Sequence, residues 1–242
     1  MLAIFGKSVA QAPEQLSAAC GDHGDGGNEG GSPDLVSSFR ESYPEAVVFQ
    51  AGEAAIAYSH ERQALLKPRT FAVADDIFCV FEGILENLTS LKQQYGLSKV
   101  ANEVLIVIEA YRNLRDRAPY PTDHMIREWK GHFAFVLFDN TTQRVLVSAD
   151  CQGKVSLFWG VTSEGSLVFS DDFDVLKNGC FKSSSPFPPG CFFSSEQGLQ
   201  SFDHPLNEVK ASPRGKGKDG VKFEVDRPEQ PVGDGPGWAS AF

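Results

Sequence analysis

The chain has 242 residues, 41% of them hydrophobic and 22% charged, and a formal net charge of −10. This is ordinary globular usage, enough for one large domain or two small ones. The acidic balance excludes a general binder of nucleic acid or anionic membranes, no run nears the ~18 apolar residues of a membrane span, and Lys7 is not followed by the apolar stretch of a secretory leader.

Met1–Phe5 reads as a short buried strand. Residues 21–33, dense in glycine, read as a mobile surface loop. Strands are expected at Ala46–Gln50, Ala54–Tyr58, Thr70–Ala74 and Ile77–Phe81. Leu85–Tyr95 reads as a helix with Gly96 as its C-cap. Val100, Val104, Leu105, Val107, Ile108 and Tyr111 make one apolar stripe on a helix ending near Leu114. Pro121 suits the first turn of a short helix reaching Trp129. His132–Asp139 and Arg144–Ala149 read as a hairpin, followed by strands at Leu157–Val161 and Leu167–Ser170. Asp171 and Asp172 open a short helix to Lys177, where their charge favours its N-terminus. Cys191–Ser194 is a last strand. From 206 to 242 proline, glycine, lysine and glutamate dominate, and a loosely ordered tail is expected after a domain spanning 1–205. Two strand sets interrupted by helix pairs imply an α+β fold of two stacked antiparallel sheets with helices outside. The 19 phenylalanines, mostly in short apolar runs, fit sheet packing.

The candidate chemical groups have plain structural readings. Cys20, Cys79, Cys151, Cys180 and Cys191 are widely spaced without a CxxC pair, which favours reduced thiols in the cytoplasm over disulfides or a zinc ribbon. Cys20 precedes Gly21-Asp22-His23, which cannot form the buried strand a nucleophile needs, and reads as a loop cysteine. Cys79 alternates with Phe78 and Val80 and should be buried. Cys151, in a turn beside Asp150, is either a structural thiol or a reactive one. Asp75-Asp76 and Asp171-Asp172 are adjacent pairs, and neighbours on a strand point to opposite faces. The histidines show no ligand spacing, so no metal or other cofactor is expected. Arg115, Asp116 and Arg117 either compensate a helix dipole or form an interface. The lysines of the tail lack interleaved aromatics and read as solvated.

Tyr95-Gly96-Leu97 and Leu114-Arg115-Asp116-Arg117 are the blocks that carry a resemblance to the plant aluminium-induced family, also called stem-specific proteins, named for its YGL and LRDR motifs. Val73–Cys79 and Gly190–Phe193 extend it over nearly the whole chain. More remotely, the chain resembles the glutaminase domain of class II glutamine amidotransferases, such as that of asparagine synthetase. Met1-Leu2-Ala3-Ile4-Phe5 is similar to their Met-Cys-Gly-Ile-Phe start, and Ser59–Gln63 to their Gly-His-Glu-Arg-Leu segment. Phe81–Asn87, Phe133–Asp139 and Ser148–Gly153 follow in the same order as three further family blocks.

The resemblance implies an N-terminal-nucleophile hydrolase-like, four-layer αββα sandwich of two antiparallel sheets. It also implies a lost reaction. Leu2 stands where the family has its cysteine, and a branched alkyl group cannot attack a carbonyl carbon. Met1 is expected to stay, which places the α-amino group one residue too early. Glu82 replaces the oxyanion-hole asparagine, while Gly83 keeps its backbone donor. Arg62 matches the arginine that clamps the glutamine carboxylate, and Ala101 takes the place of the aspartate that holds its ammonium. Leu2, Arg62, Glu82, Gly83 and Ala101 are therefore the expected residual pocket, able to hold a small ligand and carrying no catalytic residue. The expected role is a degenerate amidotransferase-like protein of plant stress or metal response, acting by binding or as a homodimer. The alternatives are an enzyme with a relocated site, in the Arg62/Glu82 pocket or at Cys151, and a metal-binding protein.

Overall fold

The computed structural model describes residues 1–18, 34–61, 63–117, 121–180, 183–204, 207–213 and 221–226. Strand β1 (Leu2–Phe5), followed in the chain by helix α1 (Glu14–Ala18), sits inside the first sheet, between β3 (Ala54–Tyr58) and β9 (Leu167–Ser170). β2 (Val47–Ala51) closes one edge beside β3, while β8 (Phe158–Val161) and β10 (Ser184–Pro186) complete the other. The second sheet runs β12 (Gly198–Ser201), β11 (Cys191–Ser194), β7 (Arg144–Ala149), β6 (Gly131–Asp139), β5 (Ile77–Leu85), β4 (Arg69–Ala74). Neighbouring strands pair antiparallel throughout both sheets.

The alternation of side chains builds the layers. On β1, Ala3 and Phe5 face the second sheet, where Phe5 meets Phe138 at 5.7 Å between ring centroids. Leu2 and Ile4 face outward onto α2 (Leu35–Ser42) and α6 (Phe173–Cys180), against Phe39 and Leu176. On β5, Phe78 and Val80 face between the sheets, and Ile77, Cys79 and Phe81 face α3 (Leu88–Gln94), α4 (Glu103–Asp116) and α5 (Thr122–Arg127). The result is four layers, helices–sheet–sheet–helices. Strands apolar on both faces are what such a centre requires. No helix among the described residues is long and apolar enough to cross a membrane.

Several expectations change. β5 continues through Leu85, because Glu82, Gly83 and Leu85 pair with Ala134, Phe133 and Gly131, so the helix starts only at Leu88. Val100 precedes α4 and is 91% exposed, off the apolar stripe. Helix α2 is an element beyond those expected, capped by Asp34, whose Oδ1 accepts from Val36 N at 3.1 Å. Within the stretch expected as a loose tail, β13 (Glu208–Pro213) pairs with β14 (Val221–Asp226). Phe223 is buried against Trp159 at 5.0 Å, and the alternation Val221, Phe223, Val225 was its signal beneath the lysine-rich composition. The glycine-rich stretch 21–33, Cys20, and residues 214–220 and 227–242 lie outside the described residues.

Candidate functional site

Four charged groups converge at one end of the sandwich, two from each sheet. Met1 leads into β1, Asp171 follows β9, Arg69 opens β4, and Glu82 lies opposite it on β5. The Arg69 guanidinium, 6% exposed, donates from Nε and Nη2 to Glu82 Oε2 at 3.2 and 3.1 Å, from Nη1 to Ser59 O at 2.7 Å, and from Nη2 to Asp171 Oδ2. The Met1 ammonium donates to Asp171 Oδ1. Asp171 thus bridges the amine and the guanidinium. Burial, the largest influence, drives the amine pKa below its ordinary 8.0 against the pull of Asp171. Burial and then the Asp171 charge raise the Glu82 carboxyl above 4.5, although Arg69 pulls the other way.

A cavity of about 300 Å³ opens beside this network. Tyr43, Glu61, Ala64, Lys67, Ser156, Asp172 and Phe173 line it with Arg69, Glu82 and Asp171. Asp172 accepts from Tyr43 Oη at 2.9 Å and from the backbone of Asp174 at 2.9 Å, so it binds this wall as well as opening α6.

Among the described residues of the expected pocket, only Glu82 lines the cavity. Leu2 is buried in the helix-facing layer, because β1 register pairs it with Ala57 and Ser170 and sends its side chain outward. Gly83 N–H is already committed, donating to Pro68 O at 3.0 Å. Its glycine identity is steric: φ is +118° and an added Cβ would lie 2.0 Å from His132 O. Ala101 is buried just before α4, on the far side of the second sheet, and does not line the cavity. Arg62 lies outside the described residues. Around it, Ser59 O and Gln63 Oε1 both accept from Arg69, the latter at 3.0 Å from the backbone N–H. Cys151, in the exposed turn after β7, is not part of this wall. Arg69 and Asp171 are the residues that sequence reasoning missed. The signal available for Asp171 is its place directly after a buried strand; the sequence alone reads it as a helix-dipole partner.

No group of three or more His, Cys, Asp or Glu side chains gathers as a metal site among the described residues.

The profile of aluminium induced proteins matches residues 2–225. The chain belongs to this family. It is 37% identical over 150 residues to the stem-specific protein TSJT1 of Nicotiana tabacum, covering 61% of this chain and 99% of that protein. A probable glutamine-hydrolysing asparagine synthetase of Dictyostelium discoideum is 36% identical over 74 residues, which is 31% of this chain and 13% of that protein. Among solved structures, glutamine phosphoribosylpyrophosphate amidotransferase of B. subtilis superposes with a TM-score of 0.50 at 17% identity, over 85% of this chain and 50% of that one. At that identity the likeness is one of fold: the N-terminal-nucleophile arrangement expected from the resemblance.

The motifs that name the aluminium-induced family are structural devices here. Tyr95 is the C-cap of α3, Gly96 N–H donates to Gln93 O at 3.3 Å, and Leu97 N–H to Lys92 O at 2.8 Å. With Gly96 at φ +66° this is a Schellman cap, and Leu97 joins Leu91 in the helix-facing core. At the end of α4, Arg115 reaches Asp139, donating from Nη1 to Oδ2 at 3.2 Å, and holds Asp116 at 2.8 Å. Asp139 is 0% exposed and also accepts from Tyr111 Oη at 3.1 Å and from the backbones of Thr141 and Thr142 at 2.9 and 3.2 Å. This clasp ties α4 to the β6–β7 turn, a tertiary role that neither reading from sequence contained. Leu114 packs partly buried against the same core, and Arg117 is the C-cap of α4.

Proposed function

We propose that this chain is a catalytically degenerate glutamine amidotransferase-like protein, acting in the cytoplasm in plant stress or aluminium response by binding or dimerisation. The observation that carries this reading is the saturation of the former site. The amine is held by Asp171, the guanidinium by Glu82, Asp171 and Ser59, and the Gly83 N–H by Pro68. Amide cleavage needs a nucleophile, a base and donors aimed at a developing oxyanion. Leu2 supplies no nucleophile, and the groups that could play the other parts are already hydrogen-bonded within the protein. The family description and the stem-specific relative support the physiological setting.

The network also explains what the former site does now: it fastens the two sheets together where catalysis would otherwise need an open, preorganised cleft. The cavity beside it, walled by Tyr43 and Phe173 as well as charged groups, supports a small ligand as the binding partner. Ammonia release from glutamine by the purified protein is the test of the chemical part; none above the protein-free rate is expected, and steady release proportional to protein concentration would overturn it. Calorimetric titration with glutamine and glutamate tests the ligand part, where saturable heat supports a pocket and its absence assigns the site to the scaffold alone.

A further inference from the structure

We propose that the open side of the sandwich is the contact of a symmetric dimer, in which β4, and beside it β2, pair antiparallel with their own copies. This rests on the reading above that the protein acts through association, and it says where.

β2 and β4 are the terminal strands of their sheets. They lie on the same side of the molecule: Phe49 of β2 stacks on Phe78 of the strand next to β4, at 3.6 Å between centroids, and Tyr58 stacks on Phe71 at 5.6 Å. Phe49 and Phe71 pack against the inter-sheet core. By alternation Val47 and Val73 share their faces, yet these two are 58% and 48% exposed. The apolar layer between the sheets therefore runs out to solvent along this side. Natural sheets guard such edges with lysine, proline, bulges or inward charges. Val47–Ala51 carries none of these; on β4 the inward charge is Arg69 at its first residue, held by Glu82 and Asp171, while Thr70–Ala74 beyond it is uncharged, and both ladders are regular.

Three features identify the occupant as a second copy. The chain carries a net charge of −10, and two such molecules must meet where neither is charged, as on these strands. β4 is flanked by Lys67 at its start and by Asp75, which also pairs with Arg112, and Asp76 at its end, so antiparallel self-pairing of β4 sets a basic end against an acidic one; β2, between Glu45 and Glu53, gains no such charge pairing and contributes only its apolar side chains. A two-fold axis perpendicular to the stacked sheets serves both edges at once and leaves no further edge to propagate. Strands of this length span ~17–20 Å and the sheets stand ~10 Å apart, a face smaller than the ~800 Å² per partner of a standard interface. The dimer is accordingly weak and reversible.

Sedimentation velocity of the full chain from ~1 to ~100 μM tests this. The expected result is a concentration-dependent monomer–dimer equilibrium whose dissociation constant rises at least ~10-fold in Val47→Lys and in Val73→Lys. Both positions are exposed, and unchanged circular dichroism verifies that the fold is kept. Val100→Lys, at another exposed position outside the strands, leaves the constant unchanged. A monomer at every concentration, a dimer indifferent to both edge variants, or an equal effect of Val100→Lys would overturn the proposal. Ammonia release from glutamine would instead overturn the functional reading and leave this contact standing.

Discussion

Leu2 and Glu82, the two positions expected to depart from the amidotransferase pattern, have different consequences in the structure. Leu2 is part of the packing between the first sheet and its helices, so Leu2→Ala is expected to cost about 2–5 kcal/mol, measured by denaturant unfolding. Glu82 carries an electrostatic burden. Its folded pKa is raised above 4.5, so the stability it contributes is present below 4.5 and is lost as pH rises through the folded value. Glu82→Gln should therefore remove a downward slope of stability in that window, read from unfolding curves across pH; an unchanged slope would refute the assignment. The position of Glu82 was legible from sequence because it sits in a recognisable block. Its partners were not, because Arg69 and Asp171 are distant in the chain and become neighbours only when β4 and the end of β9 are placed on facing sheets.

At the scale of the element, the family motifs are caps and clasps. Gly96→Ala places a Cβ on a backbone at φ +66° with nothing within 4 Å to clash, so the loss is conformational alone, about 1–2 kcal/mol, visible as a lowered Tm. The clasp on Asp139 has a pH signature. Burial raises the Tyr111 pKa to about 12, so its contribution to stability is complete below 10 and lost as pH rises through about 12. Ultraviolet titration should find a tyrosine ionising at about 12 in the native protein and at a lower pH in Asp139→Asn, which removes the neighbouring negative charge that helps raise it. The helical stripe of α4 and the strands β3, β7, β9 and β11 were readable because their apolar period is clean. The end of β5 was not, since Leu85 fits a helix face or a strand equally and only pairing with β6 decides. The β13–β14 hairpin was hidden by its charged composition, although its apolar residues alternate.

For the whole molecule, the fold is the amidotransferase-like sandwich, and on the proposed reading the charged cluster at one end serves as an ionic fastening between its sheets. Functional sites commonly stand at a cost in stability, and removing their polar groups often stabilises the scaffold. A fastening behaves oppositely, because deleting one partner leaves buried charges uncompensated, at about 3–5 kcal/mol. The most direct measurement is therefore the unfolding free energy of Arg69→Ala against wild type at neutral pH. A loss of about 3–5 kcal/mol is the predicted result. Unchanged or increased stability, with glutamine-dependent ammonia release in the wild-type protein, would contradict the account.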